Sequence, residues 1–195
     1  MIRAGIIGGS GYTGGELIRL LINHPKVEID FVYSRTKSGK KISGVHADLL
    51  GTTDLAFTDS INPEVDILFL CLGHGNSKSF LSEYSFSSKT KIVDLSNDFR
   101  LMQDASFGGK DFVYGLPELN KNTITSAEYI ANPGCFATCI QLALLPLADA
   151  KLLNSEVHIN AVTGSTGAGV MPSPTTHFSW RNNNASWYKA FTHQH

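Results

Sequence analysis

Residues 2–21, I-R-A-G-I-I-G-G-S-G-Y-T-G-G-E-L-I-R-L-L, decide the fold. Ile2 to Ile7 is an apolar run with no room for a helix, and behind it Leu17, Ile18, Leu20 and Leu21 recur at helical spacing. Between the two lie Gly9, Gly11 and Gly14 in the pattern G-x-G-x-x-G. The reading is strand, glycine-rich turn, helix. Glycines there let the backbone turn tightly, come close to a pyrophosphate and pack the helix onto a sheet. Gly9, Ser10, Gly11, Tyr12, Thr13 and Gly14 are the predicted phosphate-binding turn.

Working outward, Val27 to Tyr33 reads as the second strand, and the residues after it bear on the nucleotide. A turn that binds NAD places an Asp or Glu about 20 residues after the glycines, on the ribose 2′-OH. Asp30 falls too early for that, inside the strand. The corner itself reads Ser34-Arg35-Thr36-Lys37, with Lys40 and Lys41 just beyond. Hydroxyls and cations suit a 2′-phosphate, which Arg grips in a bidentate fork. The expected cofactor is NADP, with Ser34 and Arg35 at its phosphate corner. Asp66 to Leu72 is a nearly continuous apolar run, as in strands buried on both faces. It leads into Gly73-His74-Gly75, a loop predicted to face the nicotinamide from the carboxyl end of a parallel strand. Lys91 to Leu95 and Tyr129 to Ala131 are further strands, the first followed by Ser96-Asn97-Asp98-Phe99-Arg100 and the second preceded by the compact loop Tyr114 to Glu118. Strands alternating with helices over this length predict an α/β fold, a Rossmann-type doubly wound parallel sheet.

The last of these strands delivers the chain to A-N-P-G-C-F-A-T, Ala131 to Thr138. A Pro-Gly turn precedes Cys135, and Phe136, Cys139, Ile140, Ala143, Leu144 and Leu147 form an apolar stripe at helical spacing. A sulfur at a helix N-terminus meets free N–H groups that favour the thiolate, the form that attacks carbonyl carbon. Pro146 is expected to kink or end this helix. Cys71 and Cys139 lie in apolar runs and read as inert core thiols. From Glu156 the character changes: Glu156 to Thr163 alternates as a strand does, and Gly164-Ser165-Thr166-Gly167-Ala168-Gly169 is a loop whose N–H groups suit an anion. The expected organisation is a nucleotide domain over residues 1–134 and part of an α+β catalytic and dimerisation domain over 135–195.

A covalent cysteine needs a proton shuttle, for which histidine is the usual group. Of seven histidines, His74 lies in the loop facing the nicotinamide, while His46 and His158 have no partner visible in the sequence. His177 and the closing pair His193 and His195 fall in the second segment. The pair alone is a partial metal site, but no third and fourth ligand follow at sensible spacing, so no metal is expected. A net charge of -1 and a charged fraction of 17% leave no basic footprint for nucleic acid. Three cysteines, an odd number, argue against a disulfide framework. The N-terminus M-I-R-A-G-I-I-G is unlike a signal peptide, and no apolar run reaches membrane-spanning length. The expectation is a cytoplasmic protein with neither membrane nor nucleic acid as partner.

Together G-G-S-G-Y-T-G-G-E-L, D-L-S-N-D-F-R at Asp94, Y-G-L-P-E-L at Tyr114, A-N-P-G-C-F-A-T, T-G-S-T-G-A-G at Thr163 and the final H-Q-H resemble the N-acetyl-gamma-glutamyl-phosphate reductase family. That family shares a broad class with aspartate-semialdehyde and glyceraldehyde-3-phosphate dehydrogenases, and its motifs occur here in family order. The resemblance implies NADPH-dependent reduction of an acyl-phosphate substrate to an aldehyde in arginine biosynthesis, and self-association into a homo-oligomer. By the same resemblance Cys135 is the nucleophile and His195 or His193 the acid/base. Arg100, Ser165 and Gly167 are candidates to meet substrate anions. Family members continue beyond His195. The competing expectations are a related reductase for another N-acylated or carrier-linked substrate, a nucleotide-binding module without catalysis, and a dehydrogenase with no covalent step.

Overall fold

In a computed structural model, residues 1–171, 173, 174 and 176–187 are described. The strands are β1 (Ile2–Ile7), β2 (Val27–Tyr33), β3 (Phe57–Thr58), β4 (Ile67–Leu70), β5 (Lys91–Asp94), β6 (Ser106–Phe107), β7 (Lys110–Tyr114) and β8 (Tyr129–Ala131). The α-helices are α1 (Tyr12–Leu21), α2 (Ser77–Glu83), α3 (Pro117–Ser126), α4 (Cys135–Asp149) and α5 (Phe178–Arg181). One sheet holds all the strands, in the order β3-β2-β1-β4-β5-β8-β7-β6. Every pairing is parallel except that of β6 with β7. The doubly wound parallel sheet expected from the sequence is what forms.

Parallel strands need crossovers, and crossovers cover both faces, so neighbouring residues of β1 are buried on opposite sides. Ile7 joins Phe31, Leu68, Leu70, Phe80 and Ile92 on one face, and Ile6 joins Ile18, Val32, Ile42 and Phe57 on the other. The register brings the carboxyl ends of the strands into line. Ile7 pairs with Tyr33 and with Leu70, Leu70 with Asp94, Asp94 with Ala131, and Ala131 with Tyr114. The glycine turn, the serine corner, the His74 loop, the Asp98 loop and the segment leading to Cys135 therefore all emerge on one edge.

Some expectations give way. The strand expected over 66–72 is confined to Ile67–Leu70. Residues 156–163 form no strand and are almost all exposed, because alternation alone supplies no ladder partner for their N–H and C=O groups. Pro146 does not end α4, which continues to Asp149; one missing N–H so near the C-terminus costs a single bond, and Ala150 N–H still reaches the Pro146 carbonyl at 3.1 Å. Pro117 and Glu118, read as loop, open α3 with the proline at its first turn, where no N–H is needed.

Phe99 lies inside the D-F-R motif and is 1% exposed. It stacks on Phe112 with ring centroids 3.9 Å apart and meets Phe107 edge-on. Phe99→Ala is expected to cost about 3–5 kcal/mol of stability in urea denaturation, against a negligible change for Met102→Ala at a 98% exposed position.

Candidate active site

Strain and close approach shape the glycine turn. Gly8 takes φ +80°, a conformation side chains rarely adopt, and both Gly8 and Gly9 N–H groups donate to the Tyr33 carbonyl at 3.1 and 3.3 Å. A Cβ on Gly9 would collide with Val32, and one on Gly14 would sit 2.6 Å from the Gly9 Cα. Gly11 differs: a Cβ there would come no nearer than 3.6 Å to its neighbour, the Gly8 carbonyl. The protein's own packing thus demands the first and third glycines, while the second keeps space open for something approaching from outside. Among the described residues, the N–H groups of Ser10, Tyr12 and Thr13 have no hydrogen-bond partner. They fit the phosphates of a dinucleotide.

Ser10 and Ser34 meet side chain to side chain, Oγ to Oγ at 3.1 Å, which joins the turn to the corner after β2. Arg35 turns toward the end of α2. Its Nε donates to the Tyr33 hydroxyl at 2.8 Å, and its Nη2 donates to both Glu83 carboxylate oxygens at 2.8 and 2.9 Å and to the Tyr84 hydroxyl at 3.1 Å. These hydroxyls and the carboxylate hold the guanidinium firmly charged. Lys41 pairs with Asp54 at 2.8 Å.

The loops after β4 and β5 are one unit. Asp94, buried at the end of β5, accepts hydrogen bonds from Ser77 Oγ at 2.5 Å and Ser96 Oγ at 2.7 Å. Asp98 accepts from the N–H groups of Gly75, Ser77 and Lys78 at 2.6, 2.9 and 3.2 Å, and so covers the start of α2. His74 Nδ1 accepts the Asn97 N–H at 3.2 Å, which fixes its ring against this loop. Asp94, Ser96 and Asp98 lie in the D-L-S-N-D-F-R motif, but neither they nor Ser77 shows in the sequence the partner that gives it a role.

Arg100 connects that unit to the cysteine. Its Nε donates to the Asn132 carbonyl at 2.8 Å and its Nη2 to the Leu95 carbonyl at 2.9 Å. It makes no ion pair with Asp94 or Asp98. Burial lowers its pKa, against the opposing pull of Asp94, Tyr114, Cys135 and Asp98 nearby. Cys135 is the first residue of α4, behind Gly134, and its side chain is exposed. Thr138 closes the first turn, its N–H and Oγ1 both reaching the Gly134 carbonyl, at 2.9 and 3.0 Å. Gln141 donates to the Tyr114 hydroxyl at 2.7 Å and pins α4 to the end of β7.

Cys71 matches its expectation as an inert thiol, pushed up to about 12 by burial and, secondarily, by Asp94. Cys139 does not. It is exposed on α4, where only Ala137 is buried, so an apolar stripe there does not mean a covered one. Ser165 begins a 3-10 turn over Ser165–Ala168, and with Thr166, Met171 and His177 it lines a cavity of about 220 Å³ against Tyr12 of the glycine turn. Gly167 is close to Thr163, whose Oγ1 a Cβ would meet at 2.7 Å. A larger hollow, about 380 Å³, lies by Asp30 and Asn62 near the sheet's β3 edge and touches none of these residues. His193 and His195 lie outside the described residues.

Residues 3–127 match the family model for the semialdehyde dehydrogenase NAD binding domain, and residues 135–195 that for the semialdehyde dehydrogenase dimerisation domain. The chain belongs to the semialdehyde dehydrogenase family. N-acetyl-gamma-glutamyl-phosphate reductase of Flavobacterium johnsoniae is 69% identical to it over 195 residues, and that of Christiangramia forsetii 61%. These relatives bear out the resemblance drawn from the motifs. Each match takes in 100% of this semialdehyde dehydrogenase family chain but 60% of the relative, so the chain spans less than two thirds of their length. The crystal structure of aspartate semialdehyde dehydrogenase with NADP from Candida albicans superposes with a TM-score of 0.54 at 19% identity, covering 78% of this chain and 48% of that one. At that identity the likeness concerns the fold.

Burial raises the Asp94 carboxyl above the ordinary carboxylate range, outweighing the two serine hydrogen bonds that lower it. The folded protein therefore holds this proton more tightly than the unfolded chain does. The stability it contributes is complete below the ordinary Asp value of about 4 and is lost as pH rises through the raised one. In urea titrations from pH 4 to 8, the stability of the parent relative to Asp94→Asn is expected to fall as pH rises. A rise would contradict the assignment.

Proposed function

We propose that this chain supplies the NADP site and the nucleophile of a reductase that converts N-acetyl-L-glutamyl 5-phosphate to N-acetyl-L-glutamate 5-semialdehyde and phosphate, a step of arginine biosynthesis. The observation that carries the reading is the position of Cys135. It is exposed at the first residue of a helix, on the same sheet edge as a glycine turn with unpartnered N–H groups. Residues 1–134 act as the nucleotide domain and 135–195 as part of the catalytic and dimerisation domain. The match of 135–195 to a dimerisation model supports a homo-oligomer. Among the described residues no helix is long and apolar enough to cross a membrane, which accords with work in the cytoplasm.

Gly9 to Gly14 hold the pyrophosphate, Ser34 and Arg35 the 2′-phosphate corner, and Gly73, His74 and Gly75 the nicotinamide end. For Arg35 to reach a phosphate, its guanidinium exchanges part of its contact with Glu83, an exposed pair that solvent screens. Bound there, the reduced nicotinamide supplies a hydride. Cys135 thiolate attacks the acyl-phosphate carbonyl, the C–S bond forms and the C–O bond to phosphate breaks, leaving a thioester. His195 or His193 donates the proton that the leaving phosphate takes, a role resting on the family motif. With the thioester carbon reduced in this way, Cys135 would be the leaving group, its C–S bond breaking to restore the thiolate and release the aldehyde. Arg100, braced on the Asn132 carbonyl, and the N–H groups around Ser165 and Gly167 face the substrate's anionic groups.

The test runs the reaction backwards on the protein: aldehyde, inorganic phosphate and NADP are mixed and NADPH absorbance is followed. Phosphate-dependent NADPH formation is expected. Cys135→Ser is expected to abolish it while NADPH affinity stays within about twofold, since the serine hydroxyl is a far weaker nucleophile. NADPH formation that survives this substitution contradicts a covalent step, and a chain that binds NADPH without any turnover is the non-catalytic module instead. A preference for N-succinyl over N-acetyl substrate would reassign the acyl group.

A further inference from the structure

His46, which has no visible partner in the sequence, is buried and lies 37 residues beyond Gly9 of the glycine turn. Its Nε2 is 2.8 Å from the Gly9 carbonyl oxygen. That oxygen only accepts, so Nε2 carries the proton and donates it. The ring also explains Gly15, where a Cβ would lie 2.5 Å from His46 Cε1. Phe57 lies beside the ring, with centroids 6.3 Å apart.

The segment carrying His46 is itself fastened to α1. Ile42–Gly44 and Ala47–Leu49 are two 3-10 turns, and Asp48 in the second takes a bidentate fork from Arg19: Nε to Oδ2 and Nη2 to Oδ1, each at 2.7 Å. Buried Ile42 and Leu49 seat the turns on the core. His46 thus reaches the glycine turn from a fixed base.

The consequence follows from peptide geometry. No peptide bond among the described residues is cis, so the Gly9 carbonyl and the Ser10 N–H point in opposite directions. A carbonyl held toward His46 aims the Ser10 N–H away from it, and that N–H is one of the unpartnered donors of the turn. We infer that His46 is a positioning residue for the dinucleotide site, which fixes the Gly9–Ser10 peptide by donating to the Gly9 carbonyl and so presents the Ser10 N–H to the pyrophosphate. It touches no ligand itself. The inference rests on the proposal that the turn binds NADPH.

The test compares the parent with His46→Gln, whose terminal amide reaches about as far as Nε2, and His46→Asn, whose amide falls short. Titrations use NADPH and, as a probe with no pyrophosphate, adenosine 2′-monophosphate, below the melting temperature of every variant. His46→Asn is expected to weaken NADPH roughly three- to tenfold, the worth of one hydrogen bond, and to leave the monophosphate unchanged. His46→Gln is expected to retain parent affinity for NADPH within about twofold. Equal weakening of both probes, or parent-like NADPH binding by the Asn variant, overturns the inference. Should the Asn variant fail to fold, the Gln variant decides: retained NADPH affinity supports the role, and lost affinity at an unchanged melting temperature refutes it. A parent that does not bind NADPH would instead sink the proposed function.

Discussion

Asp94 holds the working edge of this molecule together. It ends β5 in the middle of a parallel sheet, and a parallel sheet puts the carboxyl ends of its strands side by side. From that place one residue reaches three loops. Its carboxylate takes the hydroxyls of Ser77 and Ser96, and its backbone carbonyl takes the Asn132 N–H at 2.8 Å, three residues before Cys135. A buried carboxylate without those donors would be costly, so the serines are as necessary as the acid. The arrangement of the His74 loop, the Asp98 loop and the approach to Cys135 depends on this one satisfied group.

The site built on that edge has two halves with different mechanical support. The nucleotide half is braced on every side: Tyr33 holds Gly8 and Gly9, Ser34 meets Ser10, and His46 backs the Gly9 carbonyl. The other half is the one proposed to carry the nucleophile. Cys135 is exposed, α4 buries Ala137 alone, and the turn at Ser165 and Tyr12 of the glycine turn line a common small cavity. Rigid donors suit a cofactor whose phosphates must be met the same way each time.

What the sequence disclosed follows from what leaves a local signature. β1, β2 and β8 were legible to the residue because apolar runs bounded by glycine or turn residues leave little latitude, and the glycines fixed the first crossover. β3 and β6, two residues each, carry no periodicity to detect. The strand expected at Glu156 failed because alternation reports a possible face and says nothing about a partner. Cys139 departs from its expectation for a related reason: an apolar stripe at helical spacing marks a face and does not say what covers it. Asp94 and Asp98 stood in a family motif with no role legible for either, and His46 stood alone, since each acts through a partner far along the chain.

The claim at the centre is that the Cys135 sulfur becomes covalently acylated. Intact-protein mass spectrometry after incubation with N-acetylglutamyl phosphate, with nicotinamide cofactor withheld, tests it most directly. The account predicts a single acyl adduct that maps to Cys135 and disappears when hydroxylamine cleaves the thioester. An unmodified chain, or an adduct that maps to Cys139, also exposed, would contradict it.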